Sequence, residues 1–242
     1  MRGLGLAAAA ILVASALPAV AGPPYLTDDA EPTDLGHWEV YNFVIATHTP
    51  GETDGETGMD LNFGAAPNLQ LTAVIPLAFQ DWDRAGAGSM EFAAKYKFLH
   101  QADGGWTPDL AVFPRLFTPA SSDRFGSTRF SLLLPIWAQK DWGKWSVFGG
   151  GGYTINPGPD QRDFWQGGVG VSRTLGDNWS LGGEVFWQGA ASIGAHDFTA
   201  VNVGASYKLS DRWTLMGSLG PALDGDRADG AYDVYAALEA TF

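Results

Sequence analysis

Cysteine is absent from all 242 residues. No disulfide framework can staple this chain, and no thiolate set can hold zinc or an iron–sulfur cluster. Basic residues are scarce: 14 Lys and Arg stand against 27 Asp and Glu, a formal charge of −13. Nucleic acid is thereby excluded as a partner, because phosphate binding needs a cationic footprint. Charged residues of both signs make up only 17%, below the roughly 25% of an ordinary soluble domain. Past the first residues no apolar run approaches the ~20 residues of a spanning helix, and mean hydropathy is near zero. The chain is rich instead in glycine (32), phenylalanine (14) and tryptophan (10). Its 45% apolar content is too high for a disordered chain.

The N-terminus has its own grammar. Met1-Arg2-Gly3 gives a charged start, Leu4 to Leu17 an apolar stretch, and Pro18-Ala19-Val20-Ala21 a small-x-small cleavage site. Such a triplet predicts a signal peptide over residues 1–21, cut after Ala21. Export to the bacterial outer membrane follows from this reading taken with the remainder of the chain. Without cysteine there is no lipid anchor at the mature N-terminus.

Beyond residue 36 the pattern has a period of two, and no convincing helical period interrupts it. Strands are expected at about 37–47, 57–65, 68–78, 88–99, 107–117, 126–138, 145–156, 163–174, 178–189, 197–208, 212–222 and 230–242. The connections alternate in length. Ala65–Asn68, His100–Gly105, Asp141–Lys144, Leu175–Asn178 and Ser210-Asp211 are short. His48–Glu56, Phe79–Ala87, Thr118–Phe125, Pro157–Arg162, Ala190–His196 and Leu223–Asp229 are mostly longer. Even strand number with short turns on one side and longer loops on the other predicts an all-β, twelve-stranded antiparallel up-and-down transmembrane β-barrel spanning residues 37–242, short turns facing the periplasm.

Aromatic placement agrees. Trp38, Trp106, Trp145, Trp179 and Trp213 begin strands, and Phe242 ends the last. Phe79, Trp82, Phe117, Tyr153, Trp165 and Trp187 fall near the other ends. Two interfacial girdles are expected, because amphipathic rings settle at the headgroup level. In the last strand Tyr232, Val234, Ala236, Leu238, Ala240 and Phe242 share one face, while Asp233, Tyr235, Ala237, Glu239 and Thr241 share the other. In a barrel the apolar set points to lipid and the polar set to the lumen. Strand one is mixed on both faces, so its orientation stays open. If Tyr41 and Phe43 face the lumen, the channel favours a nonpolar solute. Pairing strands four and five about Asp103 sets Glu91 opposite Arg115 and Lys97 opposite Asp109, a register that opposite charges support.

The chain also resembles a known family. Gly22-Pro23-Pro24-Tyr25-Leu26-Thr27-Asp28-Asp29 followed by Leu35-Gly36-His37-Trp38-Glu39 is similar to the mature start of the phenol-degradation MetA-pathway proteins. So are Asn62–Leu71, Lys95–Leu99 and Phe113-Pro114-Arg115, whereas Thr118-Pro119-Ala120 departs from the expected threonine-proline-glycine. The resemblance implies an outer-membrane transporter and supplies no agreed functional residues. Terminal Phe242 resembles the signal read by the barrel-assembly machinery.

For function, a channel passing small solutes leads, with aromatic or other small hydrophobic compounds suggested by the family name. Candidate lumen-lining residues are Glu91, Lys95, Lys97, Asp109, Arg115, Arg129, Glu184, Lys208, Asp233 and Glu239; Arg115 and Arg129 would form a basic constriction. A structural or adhesive barrel is the alternative, its acidic outer loops bridging divalent cations to lipopolysaccharide. The calcium-like run Asp224–Asp229 lacks the distal glutamate of a calcium loop. An outer-membrane hydrolase ranks last: His37, His48, His100 and His196 sit at the rims, and a His48–Ser192–Asp197 grouping has no motif. No catalytic residue, cofactor or metal site is assigned, and no motor or nucleotide site is seen; Gly149–Gly152 is not a phosphate loop. Expected partners are outer-membrane lipid and lipopolysaccharide, the assembly machinery and a small solute. Residues 22–36 are expected to form a periplasmic tail, with a plug inside the lumen as the other arrangement.

Overall fold

Period-two segments rich in glycine and β-branched or aromatic residues pair side by side and curl. The computed structural model describes residues 24–102, 104–223 and 230–242. The expected signal peptide and the run 224–229 lie outside these. Fourteen strands are seen among the described residues: β1 (Trp38–Thr49), β2 (Glu52–Ala66), β3 (Leu69–Gln80), β4 (Arg84–Ala87), β5 (Glu91–Leu99), β6 (Asp109–Val112), β7 (Arg115–Phe117), β8 (Ser131–Trp142), β9 (Trp145–Ile155), β10 (Phe164–Leu175), β11 (Trp179–Gln188), β12 (Phe198–Lys208), β13 (Trp213–Pro221) and β14 (Tyr232–Thr241). All pairings between them are antiparallel, and β1 pairs with β14. The short β4 and β5 share one place beside β3, and β6 and β7 share one place between β5 and β8. The wall is therefore a closed barrel of twelve strand positions. Pro114 sits at the β6–β7 break, where its missing N–H cannot serve a ladder. The start of β1 and the end of β14 meet at one rim: Trp38 and Phe242 exchange backbone hydrogen bonds of 2.7 and 3.1 Å.

The side-chain alternation is inverted relative to a soluble sandwich. Phe92 is 48% exposed and its neighbour on the next pleat but two, Lys95, only 4%. Leu71, Ile75, Ile136, Val169, Val203 and Leu219 point outward and are exposed. Trp38, Trp142, Trp145, Trp179, Trp213 and Phe242 ring the rim where β1 begins and β14 ends; Trp82, Trp165, Trp187 and Tyr232 ring the other. Phe79 and Phe117 depart from the expected outer girdle. Phe79 is buried and packs over the site of Gly55, and Phe117 turns into the lumen on the face it shares with Arg115. No helix among the described residues is long and apolar enough to cross a membrane.

Strand one resolves cleanly. Tyr41, Phe43, Ile45 and Thr47 are buried, and Val40, Asn42, Val44 and Ala46 take the other face. Tyr41, Phe43 and Ile45 join Val74, Phe186, Met216 and Tyr235 in an apolar cluster inside the barrel.

Several boundaries differ from the sequence reading. The expected long loop His48–Glu56 is a tight hairpin: Thr49 pairs with Glu52 across Pro50-Gly51, with Gly51 at φ 93°. β2 thus runs on for several residues above the apolar band. There both faces are polar, so backbone pairing continues where hydropathy no longer alternates. The segment 126–138 is shifted to Ser131–Trp142. Residues 118–130 instead fold back, with Thr118 N–H donating to Met90 O (2.8 Å) and Ser121 N–H to Ala87 O (2.9 Å).

Candidate functional site

Residues 24–34 do not trail away from the rim; they run into the lumen. The chain enters beside Gly64, whose carbonyl accepts the Gly36 N–H at 2.8 Å. Inside, Gln70 Oε1 accepts the Thr33 N–H (2.8 Å). Lys97 Nζ donates to both oxygens of Glu31, at 2.7 and 2.6 Å. Lys95 Nζ reaches Asp28 at 2.8 Å and Asp29 at 3.2 Å. On the opposite wall Glu184 Oε1 accepts the Leu26 N–H (2.8 Å) and Oε2 the Thr27 N–H (2.7 Å), while Asn202 Nδ2 donates to Oε1 (2.7 Å). Thr27, Asp28 and Ala30 are essentially sealed from solvent.

Glycine makes room for this strap. A Cβ on Gly182 would lie 2.6 Å from the Tyr25 hydroxyl, and one on Gly204 would lie 2.8 Å from the Tyr25 ring. Tyr25 packs on Phe148 at 5.5 Å between ring centres and donates to Gly204 O at 3.3 Å. Burial and, second, the Glu184 carboxylate push its phenol up to about 12, so the ring stays neutral and keeps its donor at physiological pH.

The sequence-proposed residues fall into three groups. Glu91, Lys95, Lys97, Asp109, Arg115 and Glu184 are buried and face the lumen. Asp233 and Glu239 face inward and are partly buried; the Thr47 hydroxyl donates to Asp233, and the Tyr41 hydroxyl lies 3.4 Å from Glu239. Arg129 and Lys208 are exposed. Arg129 sits in the 118–130 loop rather than on a strand, and Lys208 pairs with Asp211 at 2.9 Å at the rim. The imagined Arg115–Arg129 constriction is not formed. Arg115 is spent on Glu91 through Nε and Nη2, at 2.7 and 2.9 Å. The ladder register is two residues off the sequence reading: Glu91 stands opposite Phe117, and Ala93 opposite Arg115. The ion pair is diagonal, within reach of long side chains. Lys97 comes within 3.9 Å of Asp109.

Residues overlooked in the sequence include the strap carboxylates Asp28, Asp29 and Glu31. A second omission is a polar ladder in which Gln70 Nε2 donates to Asn62 (2.7 Å), Thr72 donates to Asn62 (2.6 Å) and Asn62 donates to Asp60 (2.9 Å). Phe113 was also missed; it lies under Lys95 at 4.9 Å and Arg115 at 5.0 Å. A sequence clue existed: Lys95 and Lys97 add two inward cations to one strand, more than its neighbours balance.

The strap divides the lumen. Toward the termini lies a polar vestibule lined by Ser146, Ser172, Ser180, Ser206 and Asp141. Toward the loops lies a cavity with about 830 Å³ of empty space, part of it open to solvent. Phe43, Val74, Pro76, Phe117, Leu133 and Phe164 give it a broad apolar surface, shared with polar side chains that include Glu56, Glu91, Thr154, Asn156, Gln166 and Gln188.

A closed antiparallel barrel with an apolar belt outside and ion pairs inside defines the class: an outer-membrane β-barrel. Within it the chain belongs to the family described as "Putative MetA-pathway of phenol degradation", which it matches over residues 36–235. No curated protein sequence matches it significantly. Among solved structures it is similar to the COG4313 outer membrane channel from Pseudomonas putida F1, with a TM-score of 0.72 at 15% identity over 88% of this chain and 98% of that one. It is also similar to the translocator domain of the autotransporter NalP from Neisseria meningitidis, with a TM-score of 0.53 at 12% identity over 87% and 90%.

Proposed function

We propose that this barrel carries small, largely nonpolar solutes across the outer membrane. The observation that supports it is the loop-side cavity: inside a closed barrel, Phe43, Val74, Phe117 and Phe164 present apolar surface among polar lining residues. A purely hydrophilic pore would have polar side chains at those inward positions. The similar barrel from Pseudomonas putida F1 is itself an outer membrane channel. Passage requires residues 24–34 to shift, since they separate the cavity from the vestibule.

Export by a leader over residues 1–21, recognition of Phe242 by the assembly machinery and contact with lipopolysaccharide complete this reading. Loops would then face outward and both chain ends the periplasm.

Planar-bilayer recording tests it, together with solute block by small aromatic compounds. Small current steps that such compounds block, and that grow when residues 24–34 are deleted, are the expected result. A silent bilayer with correctly folded protein would favour the structural barrel instead. Unchanged conductance in the deletion would remove any gating role for the strap.

A further inference from the structure

Among the described residues, one carboxylate of the loop-side cavity has no cationic partner. Glu91 is matched by the guanidinium of Arg115. Glu56, on the inward face of β2 and lining the same cavity, has no cationic or hydrogen-bonding partner among the described residues. Its principal charged neighbour is Glu91, a second carboxylate. Thr154, 5% exposed on the facing wall, also lines the cavity, and its hydroxyl oxygen has no partner. Elsewhere in this lumen inward carboxylates are met: Glu184 by three N–H donors, Glu31 by Lys97, Asp28 by Lys95. Glu56 keeps part of its surface in solvent, so water serves it in the open cavity, and a ligand that excludes this water must itself supply the donor.

We propose that the cavity is a binding site for amphiphiles with a cationic head, alkyl- or arylalkyl-ammonium compounds. The ammonium N–H groups hydrogen-bond Glu56. The hydrocarbon lies against Phe43, Val74, Phe117 and Phe164, and the Thr154 hydroxyl takes any second polar group along the chain. An alcohol of the same length offers Glu56 one neutral donor; a carboxylate of the same length is repelled. This names the solute class for the proposed channel, yet binding does not depend on transport.

Isothermal titration of the purified full chain in nonionic detergent, with detergent-alone blanks, uses hexylammonium, hexanol and hexanoate as probes. Hexylammonium is expected to bind at least tenfold more tightly than hexanol, with hexanoate weakest. In Glu56→Gln, checked for folding by heat-modifiable gel migration, the ammonium preference should disappear while hexanol binding holds. Equal affinity for the three probes in the unaltered protein overturns the site, as does a preference that survives Glu56→Gln. The ladder on the unaltered protein decides the matter even if the variant fails to fold. Bilayer current read separately distinguishes a wrong ligand class from a wrong channel assignment.

Discussion

The Lys95 ammonium lies 2.8 Å from the Asp28 carboxylate, with 5% and 1% of the two side chains exposed. One partner belongs to the wall and the other to the entering strap. Removing Lys95 leaves the buried Asp28 carboxylate without compensation, at a cost of about 3–5 kcal/mol, whereas removing Asp28 leaves Lys95 with Asp29 at 3.2 Å and costs less. Lys95→Met and Asp28→Asn should each lower the midpoint of denaturation in detergent. The double variant should lose less than the sum, because neither orphaned charge remains. A double-mutant cycle read by heat-modifiable migration against denaturant checks this. Strict additivity would mean that Asp28 and Lys95 do not hold each other.

Glu184 fastens the strap from the other wall. Its two oxygens accept successive N–H groups from Leu26 and Thr27. Charge-assisted bonds of this kind are roughly twice as strong as neutral ones. Glu184→Ala removes both acceptors and leaves two inward N–H groups unmet, a penalty of about 1–3 kcal/mol each when buried. Loosening is expected to appear as faster protease cutting between residues 24 and 34 and as larger single-channel conductance. Equal cutting rates in variant and parent would show that Glu184 does not retain the strap.

The wall of this barrel was legible because lipid imposes a strict alternation on every strand. Trp145–Ile155, Phe164–Leu175 and Phe198–Lys208 lie within about a residue of their expected bounds. Where lipid stops, the alternation no longer marks a strand. β2 extends through Glu52–Gly55 on backbone pairing alone, and Ser131–Trp142 lies later in the chain than hydropathy suggests. The diagonal geometry of Glu91 and Arg115 was lost for a related reason, since charge matching fixes a contact but not a ladder register. The strap was hidden because Pro23, Pro24 and Pro32 give no periodicity. Its hold comes from long-range contacts such as Thr33 with Gln70, which no local pattern announces.

Gly204 offers a way to displace the strap without touching its charges. The contacts of an added Cβ there are Tyr25 and Pro24, at 2.8 to 3.1 Å, and none is wall backbone. Gly204→Val should therefore push Tyr25 off the wall while leaving the sheet paired, since β-branched residues suit strands. Tyr25 would lose its bond to Gly204 O. The phenol, no longer buried beside Glu184, should titrate lower than about 12. Spectroscopic titration of tyrosine against a Tyr25→Phe control reads this directly. An unchanged titration curve would show that Tyr25 does not rest against Gly204.

Val169 tests the inverted solvent arrangement itself. It stands mid-strand in β10, 55% exposed, between the inward-facing Gly168 and Gly170. If that surface meets hydrocarbon, an arginine there must be withdrawn from water at the bilayer midplane, costing roughly 2–4 kcal/mol. The same substitution on a water-facing strand surface stays within about 0.5 kcal/mol. Val169→Arg is thus expected to reduce the equilibrium stability of the barrel in lipid vesicles by the larger amount, and Trp165→Arg, nearer the rim, by less. A Val169→Arg protein as stable as the parent in vesicles would mean that this face is bathed in water.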